Sequence, residues 1–266
     1  MSRALRQRRQ RQRRTRARRR TLVSGMIIAS VVSVGLMGYG VYLYISNGEP
    51  LPTTKTLKPE RIGQNSIIYA SDGSQMGVIR SDQNRSVIDL DKMGKWTPRA
   101  IVSIEDRRFY SHTGVDYEGV ARAVVKNAKA GAAVEGGSTI TQQVVRNLYR
   151  EISAEKTLRR KAKEAWLAKD LESTMATSLG SRRKAKDWIL QTYLNLVFFG
   201  NNAYGVEAAS QTYFSKHADE LKLQEAALIA GLPQLPSSYD PFHKPDAAKA
   251  RRNEVLAAMY RDKSIT

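Results

Sequence analysis

The chain has 266 residues, enough for one generous domain or two small ones, and 41% are hydrophobic, which excludes a wholly disordered protein. Lys and Arg number 44 against 25 Asp and Glu, but eleven Arg fall within residues 1–21, where no acid occurs; the remaining 33 against 25 leave the body at only +8. Cysteine is absent, which excludes disulfides, thiolate metal sites and a cysteine nucleophile.

The basic tail, 1–21, runs into Thr21–Gly48, which carries no charged side chain. The apolar heart of this stretch, 22–45, is long enough as a helix to cross a hydrocarbon layer of ~30 Å. Tyr39, Tyr42 and Tyr44 cluster at its far end as an interfacial belt would. A cleaved signal peptide has a shorter apolar region, so the segment is read as an uncleaved anchor. The arginines place the N-terminus in the cytoplasm and everything after residue 48 outside it. Arg-rich tails also bind nucleic acid, but beside a membrane span topology and anionic headgroups explain this one more simply, and no nucleic-acid partner is expected. Gly25, Ala29 and Ser33 form a small-xxx-small ridge, which suits helix pairing and is also common in spans that do not pair.

Residues 46–65 read as a linker, with Pro50, Pro52 and Pro59 among polar residues. A hairpin is predicted from Ser66–Ala70 and Gln75–Arg80 around the turn Ser71-Asp72-Gly73-Ser74, with Val87-Ile88 as a third strand. From there the pattern is helical. Thr97 is expected to cap a helix with Pro98 at its first position and Ala100, Ile101 and Ile104 on one face. Asp116 starts a second helix that runs out by Gly131, and Thr139 with Gln142 forms a capping box for a third. A long charged helix is predicted over about 154–175, another from a Ser181 cap through Leu196, one from Asp219 to Gly231, and a last one over 246–261. The part after residue 65 is therefore mainly α with a small β entry piece.

GxSxG, Walker A, HExxH and GxGxxG motifs are all absent, and three histidines make a multi-histidine metal site a poor reading. The two SxxK matches, at Ser153 and Ser181, lack the companions of an acyl-enzyme site and read as helix starts. Three polar clusters remain. Glu105-Asp106 closes the first helix just before Phe109, His112 and Gly114; a carboxylate beside aromatic surface suits acid–base work, and a solvated helix end is the plainer alternative. Gly136-Gly137-Ser138-Thr139 leads into Thr141-Gln142-Gln143 at a helix N-terminus, which suits an anion such as phosphate, or is simply a capped loop. Arg159, Arg160, Lys161 and Lys163 surround Glu164, which suits a pyrophosphate or is an ordinary solvated charge stripe.

Five stretches, IEDRRFYSHTGVDYEGVARA, GGSTITQQVVRNLY, RRKAKEAWLA, KDWILQTYLNLVFFGNNAYGVEAAS and EAALIAGLPQLPSSYDP, occur in that order. Together they resemble the signature blocks of the peptidoglycan glycosyltransferases (glycosyltransferase family 51), found as the N-terminal domains of class A penicillin-binding proteins and as monofunctional transglycosylases. The resemblance covers about residues 66–262. It implies a lysozyme-like, mostly helical glycosyltransferase domain over 66–266, with a membrane-embedded jaw. It also implies the reaction, polymerisation of lipid II into β-1,4-linked glycan strands by inverting transfer with release of undecaprenyl pyrophosphate. By this resemblance Glu105 matches the catalytic base and Glu164 the second essential carboxylate. Asp106, Phe109, His112, Ser138, Thr139, Gln142, Gln143, Arg146, Arg160 and Lys161 fall among the substrate-binding positions. A divalent cation, Mg or Mn, on the pyrophosphate comes with the resemblance, with no metal ligands assigned. So do lipid II, a lipid-linked glycan strand, the bacterial cytoplasmic membrane and wall-synthesis or division proteins as partners.

Three departures stand out. Arg146 replaces the usual Lys, which keeps the charge with a different geometry. Gln191 replaces a common Glu, which is expected to cost a structural salt bridge rather than the chemistry. The chain stops at Thr266 without a transpeptidase domain, as either a monofunctional enzyme or a piece of a longer chain would. The rival readings are a lysozyme-like glycan-cleaving enzyme, which has no need of a pyrophosphate site, and a non-catalytic membrane scaffold, which is free to lose Glu105 or Glu164.

Overall fold

The computed structural model describes residues 51–59, 63–79, 81–131, 136–149 and 158–266, with isolated positions at 39, 40, 42, 43, 46 and 152. The basic tail, the small-residue ridge and nearly all of the apolar segment 22–45 lie outside the described residues. Among the described residues no helix is long and apolar enough to cross a membrane. Pro52–Thr266 packs as its own unit.

Strands β1 (Ser66–Tyr69) and β2 (Gln75–Ile79) form the expected antiparallel hairpin, with Ser66 opposite Ile79 and a bulge at Ile68/Tyr69. The third strand is not Val87-Ile88. It is β3 (Asn84–Arg85), which pairs in parallel with β4 (Ala203–Tyr204) in a separate two-stranded sheet. Ile88 is kept out of a ladder because the Asn195 side chain takes both its backbone groups. The Ile88 N–H donates to Asn195 Oδ1 (3.1 Å), and Asn195 Nδ2 donates to the Ile88 carbonyl (2.8 Å).

Eight α-helices carry the rest of the described chain. They are α1 (Trp96–Glu105), α2 (Tyr117–Ala130), α3 (Ile140–Leu148), α4 (Leu158–Leu179), α5 (Arg182–Leu196), α6 (Val206–Phe214), α7 (Leu223–Gly231) and α8 (Pro245–Arg261). Six of them pack as two groups, α1 with α7 and α8, and α3 with α4 and α5. Each buries the face its spacing dictates: Ile140, Val144, Val145 and Leu148 on α3, and Ile189, Tyr193 and Leu196 on α5. Each large apolar side chain so buried contributes roughly 1.5–3 kcal/mol of transfer free energy.

Several helix starts follow the sequence reading. Asp116 caps α2 by accepting from the Gly119 N–H, Thr139 and Gln142 close a capping box on α3, and Ser181 caps α5. Thr97 does not cap. Helix α1 begins two residues earlier, at Trp96, soon after a short 3₁₀ turn (Leu90–Met93), and Thr97 lies buried in its first turn with an unpartnered hydroxyl. The start predicted for the long helix, about residue 154, lies outside the described residues, and α4 ends four residues later than expected, at Leu179. The stretch predicted as one helix from Asp219 is a 3₁₀ turn (Ala218–Glu220) followed by α7.

Helix α6 has no counterpart in the sequence reading. It begins behind Gly205, whose φ of 83° is open to glycine, and where a Cβ would stand 2.8 Å from the Asn195 carbonyl oxygen. Part of the expected linker is docked rather than free. The Thr54 N–H and hydroxyl both donate to Asp170 Oδ2 on α4 (2.7 Å each), and Leu57 packs against the core.

Candidate active site

Glu105 is the last residue of α1, the point where the α1/α7/α8 group meets α3. Its carboxylate is half-buried and accepts one hydrogen bond, from Gln143 Nε2 on α3 (2.9 Å). Burial pushes its pKa above the ordinary carboxylate value. The Gln143 bond and the charges of Arg251 and Arg146 oppose that rise, and neighbouring Asp106 adds to it.

Asp106 holds this end of α1 in place. It is buried, its two oxygens lie 2.9 Å from His112 Nε2, and Oδ2 accepts the Ile140 N–H at the start of α3 (3.1 Å). One carboxylate therefore ties the residue after Glu105 to the helix that supplies Gln143. The following turn is pinned from the far side. The Gly114 N–H donates to Glu172 Oε2 on α4 (2.7 Å), and Arg182 Nη2 donates to the His112 carbonyl (2.6 Å). Glu172 is fully buried with Lys186 (2.8 Å), whose ammonium lies 4.4 Å from the Phe109 ring centre. Burial pulls the Lys186 pKa down against the pull of Glu172. Gly114 has φ 69°, and a Cβ there would lie 2.6 Å from the Lys169 nitrogen, so only glycine lets the turn pass α4.

The second block divides in two. Thr139 and Gln142 are buried and spent on the capping box, with the Thr139 hydroxyl donating to the Gly114 carbonyl (2.6 Å). Ser138 and Gln143 remain half-buried and turned outward: Gln143 reaches Glu105, and the Ser138 hydroxyl accepts from Lys161 Nζ on α4 (3.1 Å). Arg146, one turn beyond Gln143, is half-buried, and its charge acts on Glu105.

On α4, Glu164 is almost wholly buried, with Arg160 Nε 3.6 Å from its Oε1. Helix α3 touches Glu105 through Gln143, and Ser138, just before the helix, bonds Lys161 on α4, which also carries Glu164. The first-block residues Asp106, Phe109 and His112 lie in the interior, where Asp106 bonds His112 and His112 packs edge-on against Phe109.

Two side chains beside Glu105 have no place in the sequence reading. Arg251 on α8 is mostly buried, donates to the Gly231 carbonyl (3.3 Å) and Glu254 (2.7 Å), and sends its charge onto Glu105. Tyr193 on α5 is fully buried. Nothing in a run of local sequence marks either, because they reach the site across helix packing. Gln191, the departure in the fourth block, lies at the 3₁₀ turn before α1. It accepts the Leu90 N–H (3.1 Å) and donates to Asp89 Oδ1 (3.2 Å), a double role only the amide can fill beside an acid. Among the described residues no three His, Asp or Glu side chains gather to hold a metal ion.

A family model described as Transglycosylase matches residues 72–260, a span that holds Glu105, Gln143 and Glu164. The chain belongs to the transglycosylase family. It is 41% identical over 244 residues to penicillin-binding protein 1A of Aquifex aeolicus, covering 92% of this chain and 31% of that protein. Over 229 residues it is 42% identical to penicillin-binding protein 1A of Escherichia coli (strain K12), covering 86% and 25% respectively. Penicillin-binding protein 2D of Bacillus subtilis is 42% identical over 206 residues, 77% of this transglycosylase chain and 28% of the relative. The chain therefore spans between a quarter and a third of the length of these relatives. A crystal structure of penicillin-binding protein 1A from Haemophilus influenzae aligns with 79% of the chain and 20% of its own, at 24% identity and a TM-score of 0.39.

Proposed function

We propose that this transglycosylase-family chain polymerises lipid II, using Glu105 as the base. The observation that carries this reading is the setting of Glu105: a half-buried carboxylate of raised pKa, aimed by one neutral amide, at a helix end locked by Asp106. A raised pKa makes a carboxylate a stronger acceptor for an alcohol proton.

In the proposed step Glu105 removes the proton from the 4-hydroxyl of the GlcNAc on an incoming lipid II. That oxygen forms the new bond to C1 of the donor sugar as the C1–O bond to pyrophosphate breaks. The electron pair leaves with undecaprenyl pyrophosphate, and C1 inverts from α to β. Arg146, Arg160 and Lys161 offer positive charge to the departing pyrophosphate, and Ser138 and Gln143 line the path between donor and base. Glu164 pairs with Arg160 and so keeps that charge at this end of α4. A divalent cation on the pyrophosphate remains part of the reading as a companion of the substrate. Among the described residues no three His, Asp or Glu side chains would cage it, so such a cation would be held by the pyrophosphate of the substrate.

The finer architecture belongs to the same proposal: a lysozyme-like domain over 66–266 with a membrane-embedded jaw, a linker over 46–65, an anchor helix over 22–45 and a cytoplasmic tail over 1–21. The single-pass anchor, with the catalytic domain outside the cytoplasm, confines enzyme and lipid substrate to one plane and raises their effective concentration. Wall-synthesis or division proteins are the proposed partners. The test is glycan polymer formation from lipid II in liposomes by wild type, Glu105→Gln and Glu164→Gln. Polymer from wild type and none from Glu105→Gln is the expected result; a folded wild type that yields no polymer, or cleaves preformed glycan instead, overturns the reading.

A further inference from the structure

The turn between α1 and α2 is gripped by its backbone at two neighbouring points. The Gly114 N–H donates to Glu172 Oε2 (2.7 Å), and Arg182 Nη2 donates to the His112 carbonyl (2.6 Å). Arg182 Nε also lies 3.4 Å from Glu172 Oε1, so guanidinium and carboxylate close on each other around the peptides on either side of Thr113. Glu172 is anchored in the core by Lys186 (2.8 Å). Arg182 reaches the turn from a tight reversal. It is the first residue of α5, separated from the end of α4 only by Gly180 and Ser181. Gly180 turns the chain at a φ of 67°, Ser181 caps the new helix, and a half-exposed arginine is brought back over Glu172.

Both ends of the Gln143–Glu105 bond depend on this turn. The His112 ring nitrogen Nε2 holds Asp106, the residue after Glu105, at 2.9 Å from each oxygen. The Gly114 carbonyl accepts the Thr139 hydroxyl (2.6 Å), and Asp106 Oδ2 accepts the Ile140 N–H (3.1 Å). Thr139 and Ile140 open α3, the helix that carries Gln143 to Glu105. A shift of the turn therefore moves the end of α1 and the start of α3 together with it. A charged donor makes one of the stronger hydrogen bonds in a protein, and the planar guanidinium can hold a carbonyl and a carboxylate at once in fixed geometry.

We propose that Arg182 is a positioning residue for Glu105: by holding the His112 carbonyl against Glu172 it fixes the turn that aligns Asp106 and the start of α3, and with them the Gln143–Glu105 bond. It acts on the base only through the backbone and the His112–Asp106 pair. The inference rests on Glu105 being the base.

Arg182→Ala tests it in the full chain with lipid II in liposomes, with Glu105→Gln and Gln143→Ala run beside it. The side chain is half-exposed and outside the core, so the variant is expected to fold with Tm only slightly lowered. The expected result is a kcat lowered about tenfold, the lower end of what one hydrogen bond to a charged group contributes, with KM within about twofold of wild type. In a Gln143→Ala background the same change should cost less than about threefold, because the contact that it aligns is already gone. A merely structural arginine lowers Tm and costs the same factor in both backgrounds. Wild-type kcat in Arg182→Ala, with Glu105→Gln inactive, overturns the positioning role alone. An equal loss in both backgrounds overturns it too, as does a loss that vanishes well below the Tm of the variant. Polymer from Glu105→Gln removes the base reading and the inference with it.

Discussion

Glu105 and Glu164 flank α3, and their surroundings differ in kind. Glu105 is half-exposed, held by a neutral amide, and sits at the end of a helix whose next residue is bolted to the scaffold. Glu164 is more deeply buried, yet its neighbour is the guanidinium of Arg160, in a stretch of cations that also reaches Ser138 through Lys161. Burial raises the proton affinity of Glu105, while Glu164 is paired with a cation. In the proposed reaction the two settings divide two tasks, taking a proton and ordering positive charge, as paired carboxylates in other sites are separated by their environments.

The sharpest way to break this comparison is Glu105→Gln. It keeps the Gln143 contact and removes the base, so polymerisation is expected to fall by on the order of 10²–10⁴-fold, the contribution of a general base. Stability moves the other way. A folded-state pKa raised above the unfolded value means that the ionised form is disfavoured by folding, a penalty present above the folded pKa and gone once the pH falls below the unfolded value. Glu105→Gln should therefore melt higher than wild type at neutral pH and lose that gain near pH 4, as calorimetry would show. In the wild type the acid limb of the rate should begin above the range of an ordinary glutamate; a limb at the ordinary value ends the distinction between the two sites.

Gly114→Ala attacks the support of Glu105 more directly than that of Glu164. The added Cβ meets backbone of α4 at 2.6–2.8 Å at a φ of 69°, and the turn that carries His112 must move. A loss of several kcal/mol in stability is expected. At temperatures where the variant remains folded, catalysis should fall further than the affinity for a lipid pyrophosphate measured by titration, because the turn carries His112, which holds Asp106 beside Glu105, whereas Glu164 lies a helical turn away from the clash on α4. Equal losses in both would mean that the two sites share one support. Glu164→Gln is the converse. It leaves Arg160 without its carboxylate, and we expect KM for lipid II to rise roughly tenfold to a hundredfold, with the acid limb unmoved.

What could be read before the structure depended on how local the cause was. Helix starts at Asp116, Thr139 and Ser181 were legible because a cap bonds within three residues of itself. The two glutamates and Gln143 were legible through ordered blocks of sequence. Helix α6 was not, because its start depends on Gly205 passing the Asn195 carbonyl, a contact between elements. Nor were the interior positions of Phe109 and His112: a motif says that residues occur together, not which of them face solvent. Arg251 and Tyr193 lie still further from local signals, joining Glu105 only through the packing of α8 and α5.

The smallest expected effect lies outside both sites and tests whether the fourth-block departure is structural. Gln191 accepts from Leu90 with its oxygen and donates to Asp89 with its nitrogen. Gln191→Glu keeps the acceptor and replaces the donor by a second carboxylate beside an exposed Asp89. Two like charges at this separation near the surface cost up to about 1 kcal/mol, and salt screens them. The variant should melt slightly lower at neutral pH in low salt, match wild type at high salt or below about pH 4 where carboxylates protonate, and polymerise at the wild-type rate. A changed rate would connect the 3₁₀ turn before α1 to Glu105 along the helix and shift Gln191 from the scaffold to the site.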